Sequence, residues 1–206
     1  TCPWCYIAKH RLRAAITAYE HPATVSLHHK AFELDPDLIA GQRYPVAEYL
    51  GRKYGGGVDD GRAMTQRVAE VAAADGLELD FERAVKTSTF DAHRLLALAD
   101  HLGGWELQQA AMERFYAAHF QEGLALDDHA VLLRLAAEAG LDAPLVDAVL
   151  GNAEYADSVR RDAAEARELG VTAVPFAVAN RRIAVSGAQP VEVYLDLLHQ
   201  ASAEPS

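Results

Sequence analysis

Cysteine is almost absent from this sequence: two residues in 206, both within the first five. So small a supply excludes a disulfide-stapled scaffold and an iron–sulfur cluster held by four thiolates. No apolar run approaches the ~18 residues needed to span a bilayer, and no stretch resembles a signal peptide. Basic residues are also in deficit. Nineteen Lys and Arg stand against thirty Asp and Glu, a formal net charge of −11, whereas binding a phosphate backbone draws on clustered cations. Neither nucleic acid nor membrane is expected as a partner. An initiator Met is missing too. The sequence opens at Thr1, one residue before the first cysteine, so we expect a segment upstream to have been removed or left out, with room there for a cleaved leader. On the residues present, the cytoplasm is the expected compartment.

What is there is half hydrophobic, enough for a sizeable core in one large domain or a domain carrying an insertion. The stretch "TCPWCYIAKH" then asks why both thiols are spent together. With Cys2 as helix N-cap, Pro3 falls at the first helical position, where its fixed φ helps and its missing N–H costs nothing. Ile7, Leu12, Ala15 and Ile16, with Ala8 and Tyr19, form an apolar stripe at helical spacing up to Pro22. Cys2 thus sits at the positive end of a helix, which favours its thiolate, while Cys5 lies one turn in and more buried. Side chains three apart on a helix are about 5–6 Å apart at Cβ, close enough for their sulfurs to bond and separate after a small adjustment. The spacing suits a redox couple. A structural clip closing so short a loop would gain only about 2 kcal/mol, against about 4.7 for a 100-residue loop. Structural zinc would need ligands such as His10, His28 and His29, which form no second close pair. Covalent haem would want His where Tyr6 stands. No metal and no cofactor is expected.

Along the chain, Thr24–Leu34 ("TVSLHHKAFEL") reads as a strand, with His28 and His29 alternating across it as packing or surface residues. "AVPFAVAN" and "RRIAVSG" predict a hairpin turning around Asn180 and Arg181, and "QPVEVYLDLLHQA" a closing amphipathic helix behind Pro190. Between them, from about Pro45 to Leu169, the pattern is almost wholly helical. Ser88 and Asp91 suggest a capping box and Gly103 a stop; Asp127 or Asp128 caps a helix ending at Gly140, and another runs from Asn152 to Gly170. Lys53–Gly61 reads as a flexible loop.

Taken together, "CPWCYIAK", "TFDAHRL", "GVTAVPF" and "VSGAQP" resemble the DsbA superfamily, most closely its FrnE-like branch. The resemblance implies an α/β thioredoxin-like fold, residues 1–36 and 166–206, interrupted by a large all-helical insertion, residues 37–165, with the first strand upstream of Thr1. It implies that Pro175 is cis and faces the cysteines, and that Val174 offers backbone hydrogen bonds to a bound peptide. The acidic proton acceptor of the family would lie on the upstream strand, with Glu33 a possible substitute. The implied activity is thiol–disulfide exchange on a disulfide- or thiol-containing polypeptide or a small thiol, as oxidase, reductase or isomerase. Cys2 attacks and Cys5 resolves; Pro3 and Trp4 tune the pair, and Trp4 offers substrate an apolar contact. Neither can stabilise a thiolate as a cationic histidine does, so the Cys2 pKa is expected to be depressed, though less than in the strongest oxidants. His93, in "TFDAHRL", is the remaining candidate for contact with substrate. Two other readings stand beside this one. Glutathione-dependent hydroxychromene carboxylate isomerases and kappa-type glutathione transferases share the architecture, but usually have Ser at the first cysteine and a Ser-Asp or Asn-Asp pair where Gly187, Ala188 and Gln189 stand. A binding module or holdase using the helical lid is the other. The oligomeric state is not written in these residues.

Overall fold

The computed structural model describes residues 1–203; the last three residues of the expected 166–206 segment lie outside the described residues. Helix α1 (Pro3–Ala18) begins as the sequence predicts, with Cys2 extended (φ −119°, ψ 116°) and Pro3 in the first turn. Tyr6, Ile7, Ala8, Leu12, Ala15 and Ile16 are buried along it. The chain leaves through a single 3₁₀ turn, Pro22–Thr24.

The predicted strand Thr24–Leu34 does not form: residues 25–33 belong to neither sheet. A strand is defined by ladder bonds to a neighbour, and here side chains take that role. Gln108 bonds both backbone groups of His29, accepting from its N–H at 2.7 Å and donating to its carbonyl at 3.0 Å. Gln109 donates to the Leu27 carbonyl at 3.2 Å, and Asp162 accepts from the Ala31 N–H at 3.0 Å.

The middle of the chain is helical, with one small exception. Strand β1 (Tyr44–Pro45) leads into helix α2 (Val46–Lys53) and helix α3 (Val58–Ala74), and strand β2 (Val85–Lys86) pairs antiparallel with β1. The expected loop Lys53–Gly61 is therefore shorter, because α3 already starts at Val58. Glycine is needed on both sides of that loop for close approach: a Cβ on Gly51 would lie 2.1 Å from the Gly57 carbonyl oxygen, and one on Gly61 would lie 1.9 Å from that of Ala47.

Helix α4 (Phe90–Phe120) consists of two arms meeting at a kink, where Gly103 has φ −136° and Gly104 φ 65°. Gly103 interrupts the helix as expected but does not end the element, because helical geometry resumes beyond Gly104. No capping box forms at its start; Thr89 is the N-cap, and the Ser88 hydroxyl accepts from the Phe90 N–H at 3.4 Å. Helix α5 (His129–Glu138) is capped by Asp128, whose carboxylate accepts from the Ala130 and Val131 N–H groups. Helices α6 (Ala143–Gly151) and α7 (Ala156–Glu168) follow; α7 starts four residues later than the Asn152 signal.

Strands β3 (Phe176–Ala179) and β4 (Ile183–Ser186) form the predicted antiparallel hairpin, with Phe176 opposite Ser186 and Ala179 opposite Ile183. Asn180 and Arg181 both have positive φ, 50° and 57°, as a turn matching the right-handed strand twist requires. Helix α8 (Val191–Ser202) closes the fold. Three clusters make the core. One joins α1, α8 and the hairpin around Tyr194 and Leu197. The second lies among α4, α5 and α6. The third brings Tyr6 and Ile7 of α1 against Val68, Ala72, Leu77 and Phe120, and so fastens the cysteine helix to the helical part of the chain.

Candidate active site

Cys2 occupies the point where extended backbone becomes helix. Its carbonyl accepts from the Cys5 N–H at 3.2 Å and the Tyr6 N–H at 3.4 Å, which closes the first turn. Both cysteines are free thiols and half-buried. The Cys2 pKa falls from 9.0 to about 7, and a hydrogen bond from the Cys5 thiol is the largest cause. Burial opposes the fall, while the backbone N–H groups of Cys5 and Trp4 add to it. Cys5 moves the other way: donation to Cys2 and its own burial push it well above 9. Cys2 therefore gives up its proton more readily than its neighbour, which is held as a thiol.

From 172 positions further along, the Val174 carbonyl oxygen comes within 3.9 Å of the Cys2 Sγ. The Val174–Pro175 peptide is cis, and the Pro175 carbonyl accepts from the Gly187 N–H at 2.8 Å, fixing the open end of the hairpin. Pro3 lies in the first turn of α1, and Trp4 is half-buried against the third cluster. Cys2, Cys5, Pro3, Trp4, Val174 and Pro175 thus gather around one helix end.

His93 is placed differently. It lines a cavity of about 320 Å³ together with His28, His29, Lys30, Asp100 and Asp162, and no hydrogen bond joins it to either cysteine among the described residues. Burial lowers the pKa values of His93 and His29 from 6.5 to about 4, so both rings are neutral at pH 7. Glu33 is raised above 4.5, chiefly by burial. It too makes no hydrogen bond to a cysteine among the described residues. Among those residues, no group of three or more His, Cys, Asp or Glu is arranged to hold a metal ion.

The sequence reading overlooked two charged clusters. Asp35 accepts from Tyr49 at 2.7 Å, pairs with Lys86 at 2.5 Å and also pairs with Lys53. Burial would raise its carboxyl, but these bonds together hold it far below the ordinary carboxylate range. Glu113 accepts from Tyr6, Lys9 and His10 of α1. A signal for the second was present: Lys9 stands between Ala8 and Leu12 on the apolar stripe, and a lysine there needs a counterion.

Residues 1–199 match the model of the DSBA-like thioredoxin domain. The chain belongs to that family. A probable DsbA oxidoreductase from Streptomyces coelicolor is 42% identical over all of this chain and 87% of its own, with a TM-score of 0.92. The cytosolic disulfide reductase DsbM from Pseudomonas aeruginosa is 23% identical over 97% of this chain and 93% of its own, and its TM-score of 0.60 shows a shared fold. No protein of curated function matches the sequence. The α/β thioredoxin-type fold with a helical insertion, expected from the motifs, is the fold of this DSBA-like chain, and an oxidoreductase role in general follows from the family.

Proposed function

We propose that this DSBA-like chain is a thiol–disulfide oxidoreductase or disulfide isomerase whose redox-active couple is Cys2 and Cys5. One observation carries the reading: the Cys2 thiol, lowered to about 7 by Cys5 and the helix start, stands beside Val174 and the cis Pro175. The Cys2 thiolate attacks one sulfur of a substrate disulfide; a mixed disulfide forms and the other substrate sulfur leaves as a thiolate. Cys5 then gives up its proton and attacks the Cys2 sulfur, which releases the second substrate thiol and leaves Cys2 and Cys5 joined. Two electrons have passed to the substrate. The same steps reversed oxidise a dithiol, and attack of another substrate thiol on the mixed disulfide isomerises a substrate disulfide and returns Cys2 as a thiolate.

In this reading Pro3 fixes the first turn, Trp4 gives substrate an apolar contact, and Val174 offers backbone bonds to a polypeptide laid beside Pro175. His93, on the wall of its cavity, stays the candidate for a further contact with substrate. The motifs that favour the FrnE-like branch support assigning the chain there. The compartment we propose is the cytoplasm; among the described residues no helix is long and apolar enough to cross a membrane.

The glutathione-dependent alternative is weaker at the stretch that would grip that ligand. Gln189 donates to the Ser186 carbonyl at 2.8 Å, and the Gly187 and Ala188 carbonyls accept from Tyr194 and Arg11. The test is Cys5→Ser. Without the resolving thiol, mixed disulfides should accumulate on Cys2 and be released by dithiothreitol, whereas Cys2→Ser should trap none. Equal trapping by the two variants would remove the assigned roles.

A further inference from the structure

The second arm of α4 meets α1 through one side of its own helix. Glu113, Tyr116 and Phe120 follow at helical spacing, and all three engage the turn of α1 immediately after Cys5. The Glu113 carboxylate accepts from the Tyr6 hydroxyl at 2.7 Å, from the Lys9 ammonium, and from the His10 Nε2 at 3.1 Å in the tautomer or charge state that protonates it. The Tyr116 ring stacks on Tyr6, with centroids 4.8 Å apart and planes 24° apart, and Phe120 lies 6.1 Å from Tyr6 at 11°. Tyr6 is 1% exposed and Lys9 3%. An ammonium so deeply buried requires a counterion, and among the described residues Glu113 is the only one paired with it.

Building on the redox reading above, we propose that Glu113 is a positioning residue through which the helical insertion sets the geometry of the cysteine pair. Tyr6 follows Cys5 directly, and its N–H closes on the Cys2 carbonyl. Pinning its hydroxyl and ring therefore pins the first turn on which both sulfurs stand. Donation from Cys5 to Cys2 is the contact that does most to favour the Cys2 thiolate, and a hydrogen bond weakens steeply as its angle and distance degrade. The arrangement around Glu113 is itself held as an anion. Burial would raise its carboxyl, but the bonds from His10, Lys9 and Tyr6 bring it down to about 2. The sequence separation of 107 residues between Tyr6 and Glu113 makes the insertion a support of the site as well as a cover.

The experiment is the pH profile of Cys2 alkylation by iodoacetamide, followed by mass spectrometry on the full chain. It compares wild type, Glu113→Gln and the control Glu122→Gln, a carboxylate just past the end of the arm that pairs with Arg114 and makes no bond to α1 among the described residues. Glu113→Gln should move the midpoint upward by roughly half to one unit, lowering the rate at pH 7 about two- to fivefold, and Glu122→Gln should leave it in place. If Glu113→Gln does not fold, Tyr6→Phe replaces it: that change removes one bond but keeps the ring stack and the ion pair, and a smaller upward shift is expected. A folded Glu113→Gln, or in its place Tyr6→Phe, with the wild-type midpoint overturns the proposal. The redox reading is judged separately on the wild type: if its Cys2 titrates as an ordinary thiol and exchanges with no disulfide, that reading fails, whatever the variants do.

Discussion

At neutral pH the two thiols of this chain differ in charge chiefly because Cys5 donates a hydrogen bond to Cys2 at the start of one helix. Cys2, at about 7, is close to half ionised at pH 7, whereas Cys5 stays protonated. Alkylation of the reduced protein at pH 7 should therefore label Cys2 at least about tenfold faster than Cys5. The Cys2 rate should climb between pH 6 and 8 and then level off. Equal rates in the folded protein would contradict the assignment. The place of Cys2 was legible in advance, since Pro3 and the apolar stripe fix the helix start and the dipole argument fixes the sign of the shift. The main cause was not. A hydrogen bond between two sulfurs depends on side-chain rotamers, which spacing alone does not specify.

Elements were legible where their signals are local. The hairpin at Asn180 and Arg181, the Asp128 cap and the end of α1 before Pro22 all rest on turn or cap chemistry within a few residues. Thr24–Leu34 was misread because its strand-forming composition says nothing about a partner. Its backbone bonds go to Gln108, Gln109 and Asp162 instead, contacts no local pattern announces. Arg94 is a similar case. In sequence it is merely a neighbour of His93, yet in the fold it is 4% exposed and donates to the carbonyls of Val149, Asn152 and Glu154 as well as to Asp91. It ties the end of α6 to the first arm of α4. Arg94→Met should cost about 3–5 kcal/mol, because it leaves those carbonyls without their donor and a largely buried Asp91 without its guanidinium partner. Urea unfolding measures this, and a loss below about 1 kcal/mol would show that the contacts hold nothing.

Across the whole molecule, the division into residues 1–36 with 166–206, and 37–165 between them, is the organisation we propose. The 165/166 boundary falls inside the last turn of α7, so the two parts share a helix. They also share the cluster of Tyr6 and Ile7 with Val68, Ala72, Leu77 and Phe120. Such a joint core favours one cooperative transition. Trp4 sits on α1 and Trp105 on the second arm of α4, so variants retaining one tryptophan each should unfold in urea at the same midpoint, and two separated midpoints would contradict a joint core. The pairing of the chain's two ends was foreseen from motifs that resemble a family. The support that α4 gives α1 was not, because Glu113 is an ordinary helix residue until its three partners are seen.

The central claim is that Cys2 and Cys5 form a reversible two-electron couple that does the chemistry. It is tested most directly by equilibrating the protein across a series of dithiothreitol or glutathione ratios and reading the Cys2–Cys5 bond by mass, with disulfide turnover measured on the same samples. The account predicts one two-electron transition, present in the wild type and absent from Cys2→Ser and Cys5→Ser, with catalytic turnover lost in Cys2→Ser. A pair that forms no disulfide at any ratio, or turnover that persists after both cysteines are replaced, would contradict it.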